Sequence, residues 1–212
     1  SPEWFRNNHL WITADCSNNS SVWLVDLAIR RYLEQGFILH GYHYGAKFDR
    51  DYPYLSPTPR LVERRNFLRM HDIRLVPYGN GRLWEKLDRR DEDFTYTKLG
   101  LPNSVKERSG RSFTEHYNGA VFSVICPETP IFKSFMRTLA VRMAALGLDG
   151  IYFDQIGAGR PVLCYDSSHP HAAGDDTSWF RGQNKTFRTI RAVYRKNYPG
   201  ALLVTEDNAE TC

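Results

Sequence analysis

Five short apolar, β-prone runs recur along the chain, and most of what separates them is helical in spacing or rich in turn residues. His9 to Ala14 is the first run and ends at Asp15. Ser20 or Ser21 can cap the next helix, in which Val22, Leu24, Val25, Ala28, Ile29 and Leu33 recur at helical intervals, and Gly36 stops it. Phe37–Tyr44 is the second strand. A proline-bearing loop from Gly45 to Pro59 leads to a helix from about Arg60 to Met70, then to a third strand, Ile73–Tyr78. Pro130 suits the first turn of a helix running through Leu146. Gly147-Leu148-Asp149-Gly150 links it to a fourth strand, Ile151–Phe153, which delivers Asp154. A helix over about Ser178–Lys196 precedes the fifth strand, Ala201–Thr205, which delivers Glu206. Alternation of this kind, with near-continuous apolar strands, demands a parallel sheet covered on its faces.

An open doubly wound sheet and a barrel both satisfy that demand. The polar residues that follow the strands (Asp15, Tyr44, Asn80, Asp154 and Glu206) would gather on one C-terminal rim, which is how a barrel builds a site. No glycine-rich dinucleotide fingerprint follows the first strand, which counts against a Rossmann domain. The expected fold is therefore α/β, a (β/α)8 TIM-type barrel. A complete barrel takes about 250 residues. Five strand–helix units already fill these 212, so the chain is expected to supply the first five units of one catalytic domain. The rest of the barrel would come from further C-terminal sequence or from another chain. Two stretches fit the pattern poorly. Glu85 to Gly119 reads as polar and irregular, and Gly157 to Thr177 as a long loop; long connections are functional or mobile. Ala120–Cys126 reads as an extended segment beside the barrel.

Composition narrows the partners. The net charge of +4 is scattered, and the densest basic run, Lys86 to Arg90, is interrupted by Asp88 and followed by Asp91, Glu92 and Asp93. Mixed signs mark a solvated surface and not a phosphate-binding stripe, so no nucleic-acid partner is expected. No apolar run approaches the ~18 residues that a membrane span needs. The cysteines (Cys16, Cys126, Cys164 and Cys212) are far apart and form no Cys-x-x-Cys, leaving buried thiols or disulfides as their reading. Acceptor patterns for glycosylation at Asn18, Asn19 and Asn184 point to a secreted or extracellular setting.

Asp154 and Glu206 carry the strongest chemical signal. Each ends an apolar strand, and adjacent barrel strands would hold them within several Å. Glycoside hydrolysis needs such a pair, one carboxylate to attack or activate water and one to protonate the leaving oxygen. The competing reading is a pair of rim acids neutralised by Arg82 or Arg160. Around the pair, Asp15, His43, Asn80, Arg82, Gln155, Asp166, His169, His171 and Asn208 are candidate hydrogen-bonding contacts for sugar hydroxyls. Tyr44, Tyr78 and Trp84 are candidate stacking platforms, whereas Trp179 is expected to pack the start of its helix. His40, His43, His169 and His171, with Asp166, Asp175 and Asp176, leave a metal-dependent hydrolase as an alternative. No His-Glu-x-x-His spacing supports it, and neither metal nor cofactor is expected. A carbohydrate-binding or structural partial barrel without chemistry is a further alternative.

Four strings carry a resemblance to a known family: Val76-Pro77-Tyr78-Gly79-Asn80-Gly81-Arg82-Leu83-Trp84, Cys126-Pro127-Glu128-Thr129-Pro130, the stretch from Asp149 to His171, and Thr205 to Glu210. They resemble, in the right order and over most of the chain, a glycoside hydrolase barrel family catalogued as a domain of unknown function. That family is similar to the endo-α-N-acetylgalactosaminidases and the α-amylase-type barrels. The resemblance implies a retaining glycosidase acting on an oligosaccharide or glycoconjugate, with Asp154 as nucleophile and Glu206 as general acid/base.

Overall fold

The computed structural model describes residues 2–7, 11–15, 38–42, 59–70, 72–88, 95–117 and 119–206. The helix expected between the first two strands and the loop over residues 45–58 lie outside the described residues. Along the chain run α1 (Glu3–Arg6), β1 (Trp11–Asp15), β2 (Ile38–Tyr42), α2 (Pro59–Met70), β3 (Arg74–Asn80) and β4 (Leu83–Glu85). A π-helical turn (Tyr96–Gly100) leads into α3 (Leu101–Asn103), β5 (Thr114–Tyr117), β6 (Ala120–Val124), α4 (Pro130–Ala145), β7 (Gly150–Asp154), α5 (Ser178–Asn197) and β8 (Leu202–Thr205).

The main sheet has the order β1-β2-β3-β7-β8, and every neighbouring pair is parallel. Its strands lie side by side in sequence order, with no reversal of the kind that defines a doubly wound sheet. That is the strand order expected of successive β/α units.

Alternation along the strands sorts side chains onto two faces. Leu75, Ile151 and Phe153 point into the layer formed by α4 and α5, packing with Phe132, Met136, Leu139, Met143, Phe187 and Ile190. Phe153 meets Phe187 edge to face at 5.6 Å. Tyr194 on α5 donates its hydroxyl to the Ala140 carbonyl of α4 at 2.7 Å, locking the two helices together. The other parity (Val76, Tyr78 and Asn80 on β3, Tyr152 and Asp154 on β7, Leu202 and Val204 on β8) lies on the opposite face. Val76 and Leu202 are buried there against Trp4 and Phe5 of α1, and Trp4 Nε1 donates to the Gly200 carbonyl at 2.8 Å. Helix α1, which no pattern in the sequence announces, thus lies against the end of the sheet where β8 begins.

Two expectations need correction. The third strand does not stop at Tyr78 but continues to Asn80, which pairs in register with Asp154. At Gly79 the strand packs on the helix layer, with Ile151 and Leu139 methyls 3.4 Å from where a Cβ would stand. The stretch from Glu85 to Gly119 is not irregular throughout. Strands β4, β5 and β6 form an antiparallel sheet in the order β4-β6-β5, with Ala120–Val124 at its centre. Phe122 and Val124 are fully buried in a second apolar cluster with Tyr78, Leu83, Val105 and Trp179. The extended segment expected beside the barrel is therefore the middle strand of a small sheet inserted after β3. The helices end within one residue of their expected limits at Ala145 and Asn197.

Candidate active site

The C-terminal ends of β3, β7 and β8 bring together one continuous set of polar groups. Asp154 ends β7 on the face away from the helices, opposite Asn80, and the Tyr78 hydroxyl donates a hydrogen bond to its Oδ2. Tyr78 is 5% exposed and stacked on Tyr152 at 5.9 Å, so its ring is held by packing while its hydroxyl aims at the carboxylate. The β7–β8 ladder runs to Phe153 and Thr205, and Glu206 N bonds the Phe153 carbonyl one step further at 3.3 Å. Glu206 Oε2 in turn accepts the Gln155 backbone N–H at 3.2 Å. By strand parity Glu206 continues the row of Leu202 and Val204, the face on which Asp154 also lies. The two carboxylates therefore follow neighbouring parallel strands on one face.

Gln155 is the hinge of this arrangement. Its φ of +61° is a left-handed conformation that costs a non-glycine residue on the order of 1 kcal/mol or more, and such strain collects at functional sites. The side chain compensates with two bonds, accepting from Asn80 Nδ2 at 2.9 Å and donating to the Tyr117 hydroxyl at 3.1 Å. The Tyr117 hydroxyl in turn donates to Glu115 Oε2 at 3.0 Å. Burial, and then the Glu115 carboxylate, push the Tyr117 phenol above its ordinary pKa, which keeps it a donor.

Asn80 and Arg82 are occupied with building the turn. Asn80 Oδ1 accepts the backbone N–H groups of Arg82 and Leu83 at 2.8 and 2.9 Å. Arg82 is 3% exposed, pairs with Glu115 at 2.7 Å, donates to the Arg160 carbonyl at 2.8 Å and lies 4.9 Å above the Trp179 ring. Among the described residues it thus pairs with Glu115 of the inserted sheet, not with the rim acids. Trp84 is 2% exposed and packs beside Phe135 in the helix layer, and Trp179 is buried at the start of α5 as expected. Asp15 ends β1 in register with Tyr42. His43, Tyr44 and Asn208 lie outside the described residues.

Asp166, His169 and His171 collect in the loop that follows Asp154. His169 bonds the Pro102 carbonyl through Nε2 and contacts Cys164 through Nδ1, while His171 contacts Cys126. Burial alone would raise the Asp166 carboxyl, but hydrogen bonds from the Ser168 hydroxyl and N–H outweigh it and hold the group below the usual carboxylate range. Sequence reasoning missed Tyr117, Glu115 and Cys126 because the partners that tie them to the site (Gln155, Arg82 and His171) lie far away in the chain, and it missed Cys164 as well. The spacing Cys164-x4-His169-x-His171 was the one local signal available. No described helix is long and apolar enough to cross a membrane.

Comparison with known proteins adds a family and a fold. The model of the domain of unknown function DUF6259 matches residues 1–212. A curated relative from Bacteroides thetaiotaomicron, named "Putative glycoside hydrolase", is 28% identical over 98% of this chain and 31% of its own length. A similarly named protein from Monosiga brevicollis is 28% identical over 99% of the chain and 20% of its own length. The chain thus spans a third or less of these relatives. Among solved structures, the α-N-acetylgalactosaminidase NagBb from Bifidobacterium bifidum superposes with a TM-score of 0.73 at 13% identity, over 98% of this chain and 36% of that one. A GH31 family sulfoquinovosidase from E. rectale superposes at 0.68 and 13% identity, over 98% and 31%. At such identities the likeness is one of fold, that of glycoside hydrolases with TIM-barrel-type architecture.

Proposed function

The chain belongs to the DUF6259 family, and from that premise we propose that it carries the catalytic carboxylates of a retaining glycoside hydrolase acting on an oligosaccharide or glycoconjugate. The observation that supports this most is the pair Asp154 and Glu206, on adjacent parallel strand ends and one face. Asp154 is the nucleophile. It attacks the anomeric carbon while Glu206 gives its proton to the departing oxygen, leaving a glycosyl ester on Asp154. Glu206, now ionised, takes a proton from water, which attacks the same carbon and frees Asp154. Retention by this route requires carboxyl groups about 5–5.5 Å apart, close to the ~4.8 Å spacing of neighbouring strands.

Within this reading Tyr78 orients the Asp154 carboxylate, and the Gln155 backbone N–H anchors Glu206 beside it. Asp15 at the end of β1 is a further contact for the sugar, as the sequence suggests for His43, Tyr44 and Asn208. The remaining strands of a (β/α)8 barrel come from outside this chain, and the setting is extracellular. The acid/base role is tested by Glu206→Gln. Turnover of a substrate with a poor leaving group should fall roughly 10²–10⁴-fold. An aryl glycoside whose phenol departs without a proton should be affected far less in its first step. Equal losses on both substrates would overturn the assignment.

A further inference from the structure

Away from the carboxylate pair, four side chains from distant parts of the chain converge on one point. Cys126 lies just beyond β6, while Cys164, His169 and His171 belong to the loop between β7 and α5. One ligand atom from each lies within 4.8 Å of all the others. Cys126 Sγ is 3.2 Å from His171 Nε2, and Cys164 Sγ is 3.3 Å from His169 Nδ1. Cys126, Cys164 and His169 are buried and His171 half-buried.

The outer nitrogens of both rings fix what the inner ones offer. His169 Nε2 is 2.9 Å from the Pro102 carbonyl, and His171 Nδ1 is 2.8 Å from the Ala172 carbonyl. A carbonyl only accepts, so those nitrogens carry the protons. His169 Nδ1 and His171 Nε2 then face the two sulfurs with lone pairs. This is the outer-sphere pattern that orients metal-bound imidazoles.

We infer that Cys126, Cys164, His169 and His171 form a structural binding site for a tetrahedral, thiophilic divalent cation, Zn²⁺. Two thiolates and two neutral imidazoles are an established ligand set for structural zinc. Bond lengths of about 2.3 Å to sulfur and 2.0–2.1 Å to nitrogen put neighbouring ligand atoms of a tetrahedron roughly 3.3–3.8 Å apart. The two sulfur–nitrogen separations, 3.2 and 3.3 Å, already lie at the lower edge of that range, and the 4.8 Å limit on the whole set leaves little to close. Binding displaces one proton from each thiol and transfers no electrons. The resulting centre is formally neutral, which suits a buried position better than isolated thiolates would. Four protein ligands leave no open coordination position, so the ion holds structure and takes no part in bond cleavage.

Its task follows from what it joins. Residues 155–177 begin directly after Asp154 and contain no helix or strand. The cluster ties this loop to the turn after the inserted sheet, and His169 ties it to α3. Tyr165 N to the Lys106 carbonyl (2.8 Å), Gly174 N to the Cys164 carbonyl (2.7 Å) and Cys126 N to the Asn103 carbonyl (2.9 Å) run through the same junction. The cation fixes the loop that shapes the rim beside Asp154, whichever reaction occurs there.

The test is metal analysis of the protein purified under mild reduction. The expected result is one Zn²⁺ per chain, retained through gel filtration and lost with a strong chelator at a lowered melting temperature. Co²⁺ added to the metal-free protein should give intense tetrahedral visible bands and a thiolate charge-transfer band. Cys126→Ser and Cys164→Ser should each abolish stoichiometric binding. His171→Cys should keep the metal and strengthen the charge-transfer band, since three thiolates and one imidazole also hold zinc. That variant reads ligation even if the serine variants fail to fold. Freshly purified protein lacking zinc, with no charge-transfer band on cobalt addition, would overturn the proposal. So would an oxidised Cys126–Cys164 pair, seen as a mass two hydrogens lower.

Discussion

The two ends of β7 carry the same chemical group in opposite surroundings. Asp149, just before the strand, is 5% exposed and surrounded by donors. Its Oδ2 accepts the Leu75 N–H at 2.9 Å, and its Oδ1 lies 3.5 Å from Arg74 and 3.7 Å from Arg69. Its backbone also exchanges bonds with Leu75 and Leu202, stitching three strands and α2 together. Asp154, at the other end, is half-buried and held by the Tyr78 hydroxyl beside Glu206. A parallel barrel has this polarity: acids at the N-terminal end stabilise, and acids at the C-terminal end are placed for chemistry.

That contrast can be broken by exchanging which property each acid controls. Asp154→Asn should bring turnover below detection while leaving the melting temperature within a degree or two; measurable turnover by the variant would refute the nucleophile role. Asp149→Ala should do the reverse. Leaving the Leu75 N–H and two arginines without their acceptor costs about 3 kcal/mol, or roughly 6–12 °C in melting temperature, with kcat of the folded fraction unchanged. Arg82 sharpens the comparison because it sits at the C-terminal end yet is built like Asp149. Arg82→Met should lower stability by about 2–3 kcal/mol, read by denaturant titration, with a smaller effect on KM than a direct sugar contact would give. Tyr78→Phe removes a bond to a charged group, and kcat should drop about 10-fold or somewhat more at little cost in stability.

The smallest effect concerns neither end. Glu128, before α4, is 2% exposed and ties Lys133 of α4 to Arg181 of α5. Burial alone would raise its carboxyl, but the Lys133 and Arg181 bonds win and hold it below the usual carboxylate range. A lowered native pKa contributes stability above the unfolded value of about 4.3, and that contribution fades as the pH falls through the native value. Glu128→Gln should cost about 1–2 kcal/mol at pH 7. The gap from the unaltered protein should hold down to about pH 5 and shrink below it; a gap that widened in acid would contradict this account.

What the sequence disclosed follows from how local each feature is. Strand β7 and its terminal Asp154 were legible because an apolar run ending in an acid is a property of seven consecutive residues, Asp149 to Gln155. Glu206 was legible for the same reason. Trp84 was misleading: the Gly-Asn-Gly before it resembles a strand exit toward solvent, whereas Trp84 pairs with Ser123 in β4–β6 and turns into the core. Nothing near residue 84 announces a partner so far along the chain. Arg82 failed similarly, since its acceptor Glu115 lies in β5. The cysteine–histidine cluster was hidden because Cys126 and Cys164 belong to different elements and lack the short spacing of zinc ribbons.

Everything proposed for this rim turns on Asp154 being the nucleophile of a retaining glycosidase. The most direct measurement is covalent trapping of the active protein with a panel of activated 2-deoxy-2-fluoro glycosides, followed by peptide mass spectrometry. The expected result is one sugar per chain, attached within the peptide that contains Asp154 and absent from Asp154→Asn. A label on a different carboxylate, or hydrolysis with inverted configuration and no trapped ester, would contradict it.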